Sequence, residues 1–218
     1  MKARVAAVLA EVRGHRVLNV GCAGHARPDT PERRARWLHG ALVARGYSVL
    51  GVDVDERQLD WMRDEGHEVV ALDAQRLDEL RESFDTVVAG ELIEHLENPG
   101  LFLAACRRRL ADDGRLVLTT PNAFGPLYWL TYASSGGRAA NPEHTCWFDG
   151  QTLAQLLRRA GYRVECIQHV DDLRTDTASS AGYRAFAAVW GAARRALPAR
   201  FRHTLVVTAA PDRAAQDR

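Results

Sequence analysis

The sequence predicts an α/β protein with an open, mostly parallel sheet and helices on both faces. Three observations carry that expectation: short, nearly continuous apolar runs, helical patterns alternating with them, and a glycine turn directly after the first run. Runs apolar along their whole length suit strands covered on both sides.

In chain order, MKARVAAVLAEVRGH reads as a short amphipathic helix; Arg4, Glu11 and Arg13 interrupt it too often for a signal peptide. Strands are expected at 16–20, 48–52, 68–71, 85–89 and 115–119. Helices are expected between them at 31–45, 56–65, 75–82 and 99–110. The last has Asn98 at its cap, Pro99 in its first turn and a stop near Gly114. The rhythm changes after Pro121: residues 122–148 are rich in aromatics and glycine and read as a small inserted cap. A helix at 152–160 closed by Gly161, a strand at 163–169, a helical stretch near 181–197 and a last strand at 204–209 follow. Residues 211–218 read as a frayed tail, and 1–218 as one domain without a dividing linker.

Composition narrows the classes. Hydrophobic residues at 46% and charged residues at 26% exclude a disordered or collagen-like chain. No apolar run approaches the ~18 residues of a membrane helix, so no membrane insertion is expected. A net charge of +1 argues against nucleic acid as the partner, although 183–203 carries Arg184, Arg194, Arg195, Arg200 and Arg202 with no acid. Cys22, Cys106, Cys146 and Cys166 lack metal-ligand spacing, which suits a reduced, cytoplasmic setting.

The chemistry concentrates at strand ends. The first strand runs into Asn19-Val20-Gly21-Cys22-Ala23-Gly24-His25, where Gly21 allows close backbone approach and Gly24 allows positive φ. The second ends in Asp53-Val54, an acid placed for ribose hydroxyls, and Asp73-Ala74 follows twenty residues later, where an adenine amino group would be met.

These segments resemble the class I S-adenosylmethionine-dependent methyltransferases, in the branch of the ubiquinone-biosynthesis O-methyltransferases and related small-molecule enzymes. The resemblance rests on VLNVGCAG (17–24), GVDVD (51–55), LDAQ (72–75), FDTVVAGELIEHLENP (84–99), RRLADDGRLVLTTPN (108–122) and EHTCWFDGQTLAQLLRRAGY (143–162). It implies a Rossmann-like seven-stranded sheet whose last strand is antiparallel, and S-adenosylmethionine as cofactor. It also implies that Asn19, Gly21, Cys22, Ala23, Gly24, Asp53, Val54, Asp73, Ala74 and Glu91 surround that cofactor. The family usually opens this turn with an acid and alternates glycines; Asn19, Ala23 and His25 depart from that. Asn19 cannot balance the cofactor's positive charge, and Ala23 is expected to place a methyl group beside it. HARPDTPERR (25–34) lengthens the turn and reads as a loop over the pocket, or as a surface loop without a role.

Glu91, Glu94 and His95 stand at i, i+3 and i+4, one face of a helical turn. Two carboxylates and an imidazole suit Mg2+ or another divalent cation, or a carboxylate-oriented base, and His144 is a candidate fourth ligand. The pattern resembles the metal site of small-RNA 3′-terminal 2′-O-methyltransferases and the Glu-Glu-His cluster of the ubiquinone O-methyltransferases. The alternative leaves Glu91 on the cofactor and His95 packed or capping a helix. His95 and His144 are the candidate catalytic bases. Cys146 near His144 suggests a thiol nucleophile only weakly, because nothing supplies an oxyanion hole. Phe124, Tyr128, Trp129, Tyr132, Trp147 and Phe148 wall an acceptor pocket or pack the cap on itself.

The expected function is methyl transfer from S-adenosylmethionine to a small-molecule acceptor, at a hydroxyl oxygen. A metal-dependent RNA 3′-terminal 2′-O-methyltransferase and a cofactor-binding protein without turnover are the alternatives; a homodimer is compatible with each.

Overall fold

The computed structural model describes residues 2–24, 27–134, 141–171, 189–192 and 196–212. His25, the tail from 213, and most of the helical stretch expected at 181–197, with Arg184, Arg194 and Arg195, lie outside the described residues.

Seven strands form one sheet: β1 Arg16–Val20, β2 Ser48–Asp53, β3 Val69–Ala71, β4 Phe84–Gly90, β5 Leu110–Pro121, β6 Tyr162–Val170 and β7 Thr204–Pro211, in the order β3-β2-β1-β4-β5-β7-β6. β3 to β5 pair in parallel, and β7 lies antiparallel to both β5 and β6. The sheet therefore has the seven strands and antiparallel last strand that the resemblance implies. Pro211 pairs with Tyr162, so the last strand runs two residues further than 204–209.

The helices are α1 Ala3–Glu11, α2 Pro31–Arg36, α3 Leu38–Val43, α4 Glu56–Asp64, α5 Pro99–Arg109, α6 Pro126–Ser134 and α7 Gly150–Arg159. Alternate strand residues feed two cores. Leu18, Val20, Val87 and Leu116 join Phe102, Leu103 and Leu153 of α5 and α7 on one side. Val17, Val88 and Val117 join Val5, Val8 and Leu42 of α1 and α3 on the other. Both sheet faces are covered, which is why the strands read as unbroken apolar runs. Arg115 pins α1 across β5 and β6: its guanidinium lies 2.9 Å from Glu11 and 2.7 Å from Glu165.

Local chemistry sets the helix ends. Asn98 accepts from the Leu101 N–H, with Pro99 in the first turn of α5. Asp149 and Thr152 form a capping box, so α7 starts at Gly150 rather than 152. The single helix expected at 31–45 is broken at Trp37, whose ψ of 105° is extended. The indole of Trp37 donates to the Cys22 carbonyl at 3.2 Å, and this contact with the glycine turn wins over helix continuation. The expected loop at 25–34 is in part α2, capped by Thr30 and tied to the N-terminus through the Lys2 N–H to Ala35 carbonyl bond. The helix expected at 75–82 is a shorter 3-10 turn, Ala74–Glu79, kinked at Arg76. Within the cap, 122–148, lies α6, and Asn122 bridges to Phe148.

Candidate cofactor crevice and acid–imidazole cluster

The strand order reverses between β1 and β4, and an open α/β sheet binds ligands beyond the strand ends at that point. Gly21, Asp53 and Glu91 end or follow β1, β2 and β4 there. The turn folds back on β2: the N–H groups of Gly21 and Cys22 both donate to the Val52 carbonyl, at 2.8 and 3.2 Å. Gly21 has φ +73°, and a Cβ on it would stand 3.3 Å from Leu92, narrowing the crevice. The Asp53 carboxylate accepts from Ala23 N–H at 3.0 Å, Val54 N–H at 2.8 Å and Asp55 N–H at 3.1 Å. One carboxylate thus locks the glycine turn to the end of β2. Val54 is 71% exposed, an apolar side chain open to a flat ligand. Asp73 accepts from Gln75 N–H at 2.8 Å and starts the 3-10 turn over buried Ala74.

Cys22 and Ala23 present only backbone to the crevice. Their side chains are buried with Leu59 and Met62, so the Ala23 methyl points away from the position expected for it. Burial pushes the Cys22 thiol up to about 12, leaving it neutral. Asn19 also turns inward: it is 2% exposed, and its Nδ2 lies 3.4 Å from His39 Nδ1. His39 is fully buried, and desolvation first and then His67 lower its pKa to about 3. A neutral imidazole therefore stands behind a neutral Asn at the position where the resemblance implies an acid. Trp37 and His39 were missed from sequence: Trp37 packs against the His39, Trp61 and His67 rings at 5.0–5.8 Å and His39 against His67 at 5.0 Å, a cluster gathered from separate segments that no local pattern announces.

Gly51 is the tight point of this assembly. A Cβ there would lie 2.7 Å from Cys22 Sγ, 2.8 Å from Val69 Cγ1 and 2.9 Å from His39 Cε1. Gly51→Ala is expected to lower unfolding free energy by ~1–3 kcal/mol through overpacking. Urea unfolding measures it, and an unchanged midpoint would show that the cluster yields freely.

The second constellation follows β4. Glu91 has φ +54°, a costly conformation for a side-chain-bearing residue, and its N–H bonds to the Thr119 carbonyl at 2.9 Å. Its carboxylate accepts from the Thr119 hydroxyl at 3.0 Å. Only Ile93–His95 forms a helical turn, of 3-10 type. The continuous face expected for Glu91, Glu94 and His95 therefore does not form, because the chain passes through a left-handed residue at Glu91. What gathers instead is Glu94, His95 and His144, whose ligand atoms all lie within 4.8 Å of one another. Glu91 stands outside that group. The His95 and His144 rings meet edge to face at 4.7 Å.

Thr145 explains how a residue of the cap arrives there. Its N–H donates to the Glu94 carbonyl at 2.8 Å, and its hydroxyl to the Leu96 carbonyl at 2.7 Å. Glu94 is 1% exposed; its Oε2 accepts from the Thr120 hydroxyl at 2.9 Å, while Oε1 has no hydrogen-bond partner among the described residues. Burial first, and Glu91 second, push its carboxyl up to about 8. Sequence reading missed Thr119, Thr120 and Thr145. The T-T-P-N run and the H-T-C run held them in view, but a hydroxyl's partner is not local in sequence.

Beside the cluster, Trp147 packs against His144 at 5.2 Å and Tyr128 against Trp147 at 5.1 Å. Phe124, Trp129 and Tyr132 are 67%, 72% and 59% exposed, so they do not pack the cap on itself; Phe148 is buried in the core. Cys146 is not part of the cluster, and burial raises its thiol pKa, against a nucleophilic role.

A mostly parallel sheet with a glycine turn and acidic strand ends at its switch point has the architecture of α/β proteins that bind nucleotide-like ligands. The family model described as "Methyltransferase domain" matches residues 1–167. The ubiquinone biosynthesis O-methyltransferase of Hahella chejuensis is 34% identical over 120 residues, 52% of this chain and 46% of that protein. A probable S-adenosylmethionine-dependent methyltransferase of Mycobacterium tuberculosis is 34% identical over 125 residues, 56% of this chain and 42% of its own. The matched segment thus spans about half the length of these curated relatives. A SAM-dependent methyltransferase from Archaeoglobus fulgidus shares the fold with a TM-score of 0.61 at 21% identity, over 95% of this chain and 91% of that one. The magnesium protoporphyrin IX methyltransferase of Synechocystis, solved with bound SAH, has a TM-score of 0.57 at 16% identity, over 95% and 80%. The chain belongs to the methyltransferase-domain family, in the class I S-adenosylmethionine-dependent group.

Proposed function

We propose that this protein transfers a methyl group from S-adenosylmethionine to a hydroxyl oxygen of a small molecule, with a divalent cation held by Glu94, His95 and His144. The observation that carries the reading is the convergence of a buried carboxylate and two imidazoles within 4.8 Å, beside the crevice. The named O-methyltransferase relative supports oxygen as the acceptor atom. No described helix is long and apolar enough to cross a membrane.

The residues fit both groups. For the cofactor, Gly21 leaves the backbone bare, Asp53 offers carboxylate oxygen at the end of β2, Val54 offers an apolar face, and Asp73 with Ala74 closes the adenine end. Asn19 stands behind the turn, buried against His39. For the cation, Glu94 Oε1 is a buried oxygen lacking a donor, and one oxygen with two nitrogens suits Mn2+, Co2+ or Zn2+ better than Mg2+.

When bound, S-adenosylmethionine supplies a methyl group on a positively charged sulfur, and the electron pair of the breaking carbon–sulfur bond neutralises that charge. Asp53 and the glycine turn fix the sulfur's approach, which is most of what an already activated donor requires. A cation on Glu94, His95 and His144 would lower the pKa of a hydroxyl that touches it. His95 or His144 takes the hydroxyl proton where no cation intervenes. Trp147 packs on the His144 ring and Tyr128 on Trp147, which orients that imidazole.

Calorimetric titration with S-adenosylhomocysteine, followed by methyl transfer to a panel of small hydroxyl compounds with and without chelator, tests the reading. Absence of heat at millimolar ligand removes it. Incorporation into short RNA in place of the small compounds transfers the assignment to RNA 3′ ends. Asp53→Ala is expected to weaken S-adenosylhomocysteine binding by ~1–3 kcal/mol, since it removes a charged acceptor and releases the Ala23 and Val54 N–H bonds. Unchanged affinity in the same titration would refute the ribose assignment.

A further inference from the structure

We propose that the cleft between α5 and α7 binds a small phosphorylated ligand through Arg107, Arg158 and Arg159. The cleft has a volume of about 650 Å3 and no acidic residue in its lining. Arg107, Arg158, Arg159 and Gly161 lie where α5 and α7 run into the starts of β5 and β6, whereas the crevice lies at the opposite, C-terminal ends of the strands. That separates the cleft from the cofactor and from the Glu94 cluster.

Charge sets these three arginines apart from others in the molecule. Arg33, Arg63, Arg76, Arg108, Arg115 and Arg163 each face a carboxylate. Among the described residues, Arg107, Arg158 and Arg159 form no ion pair, and Arg158 donates only to Gln155 at 3.4 Å. The C-terminal ends of α5 and α7 bring about half a negative charge each. Three guanidiniums exceed that, leaving about two positive charges in a concave site of ligand size.

The shape is built as well as charged. Gly161 has φ +82°, and a Cβ on it would stand 3.1 Å from Arg107 Nη1, so glycine lets that guanidinium lie across the cleft. The Asp212 N–H holds the Gly161 carbonyl at 2.8 Å and keeps the turn in place. Ala104 and Leu156 form an apolar part of the wall. Guanidinium forks match phosphate oxygens in pairs, and three of them around one cleft suit a dianionic phosphate or a diphosphate better than a single carboxylate. The apolar wall suits the organic part of a phosphate ester.

Calorimetry on the full chain with orthophosphate, pyrophosphate, ADP and citrate tests this, beside the doubly exposed variant Arg158→Gln/Arg159→Gln. Pyrophosphate or ADP is expected to bind the wild type at millimolar concentration or below. The variant should bind about tenfold more weakly or worse, with S-adenosylhomocysteine affinity and melting temperature unchanged. ADP binding more tightly than pyrophosphate assigns a phosphate ester seated on Ala104 and Leu156; equal binding assigns the inorganic anion. No heat with either, equal affinity in the variant, tighter citrate binding, or displacement by S-adenosylhomocysteine would each overturn the proposal.

Discussion

Glu94→Gln is expected to lower methyl transfer about 100-fold or more while S-adenosylhomocysteine affinity stays within about twofold. The carboxamide keeps the size of the side chain and an oxygen for the Thr120 hydroxyl, and the Glu94 carbonyl still holds Thr145. What is lost is the ionisable carboxyl beside the His95 and His144 imidazoles, the group that becomes anionic when a cation binds or a neighbouring imidazole is protonated. A cation then loses its one anionic ligand, and a base loses the group that stabilises its protonated form. Titrating Mn2+ separates these cases. Under ligation, Mn2+ affinity falls with activity, and excess metal restores part of the rate. Under base catalysis, chelator leaves the wild-type rate untouched. Full activity in Glu94→Gln would mean that the cluster does not serve the reaction.

The second large effect is on stability against pH. The Glu94 carboxyl, raised to about 8 by burial and Glu91, keeps a proton in the folded protein that the unfolded chain releases above ~4.3. Because the folded-state value is the higher one, this group's stabilising contribution is complete below ~4.3 and is lost as pH rises through about 8. The loss is on the order of a few kcal/mol for a buried carboxyl. Metal-free wild type should therefore melt at lower temperature at pH 8 than at pH 5, by a margin that Glu94→Gln removes. Mn2+ at pH 8 should restore the wild type selectively, since a cation bound to the folded state takes the place of the proton. Parallel melting curves for wild type and variant across that range would show that Glu94 is not the titrating group.

The strands, α5 and α7 were legible because their signals are local. Unbroken apolar runs mark strands buried on both faces, and Asn98-Pro99 states where α5 begins. Where local pattern was extended into geometry, it failed at named residues. The i, i+3, i+4 spacing of Glu91, Glu94 and His95 assumed one helical face, but Glu91 sits at φ +54° because its N–H and carboxylate are both claimed by Thr119 of β5. A helix through 37 was a fair reading of 31–45 until the Trp37 indole found the Cys22 carbonyl.

The sequence by itself determined the α/β class, the strand ends that carry Gly21 and Asp53, and the residue types able to hold a cofactor or a cation. Periodicity, capping and turn chemistry are encoded within a few residues, so they survive being read one segment at a time. Only the tertiary structure decided that Asn19 turns to His39, that the Ala23 methyl is buried, and that His144 rather than Glu91 completes the cluster with Glu94 and His95. Each of those outcomes depends on a hydrogen bond or a packing contact between segments about 20 to 50 residues apart. Such contacts form only once the sheet has brought the segments together, and no local pattern specifies them.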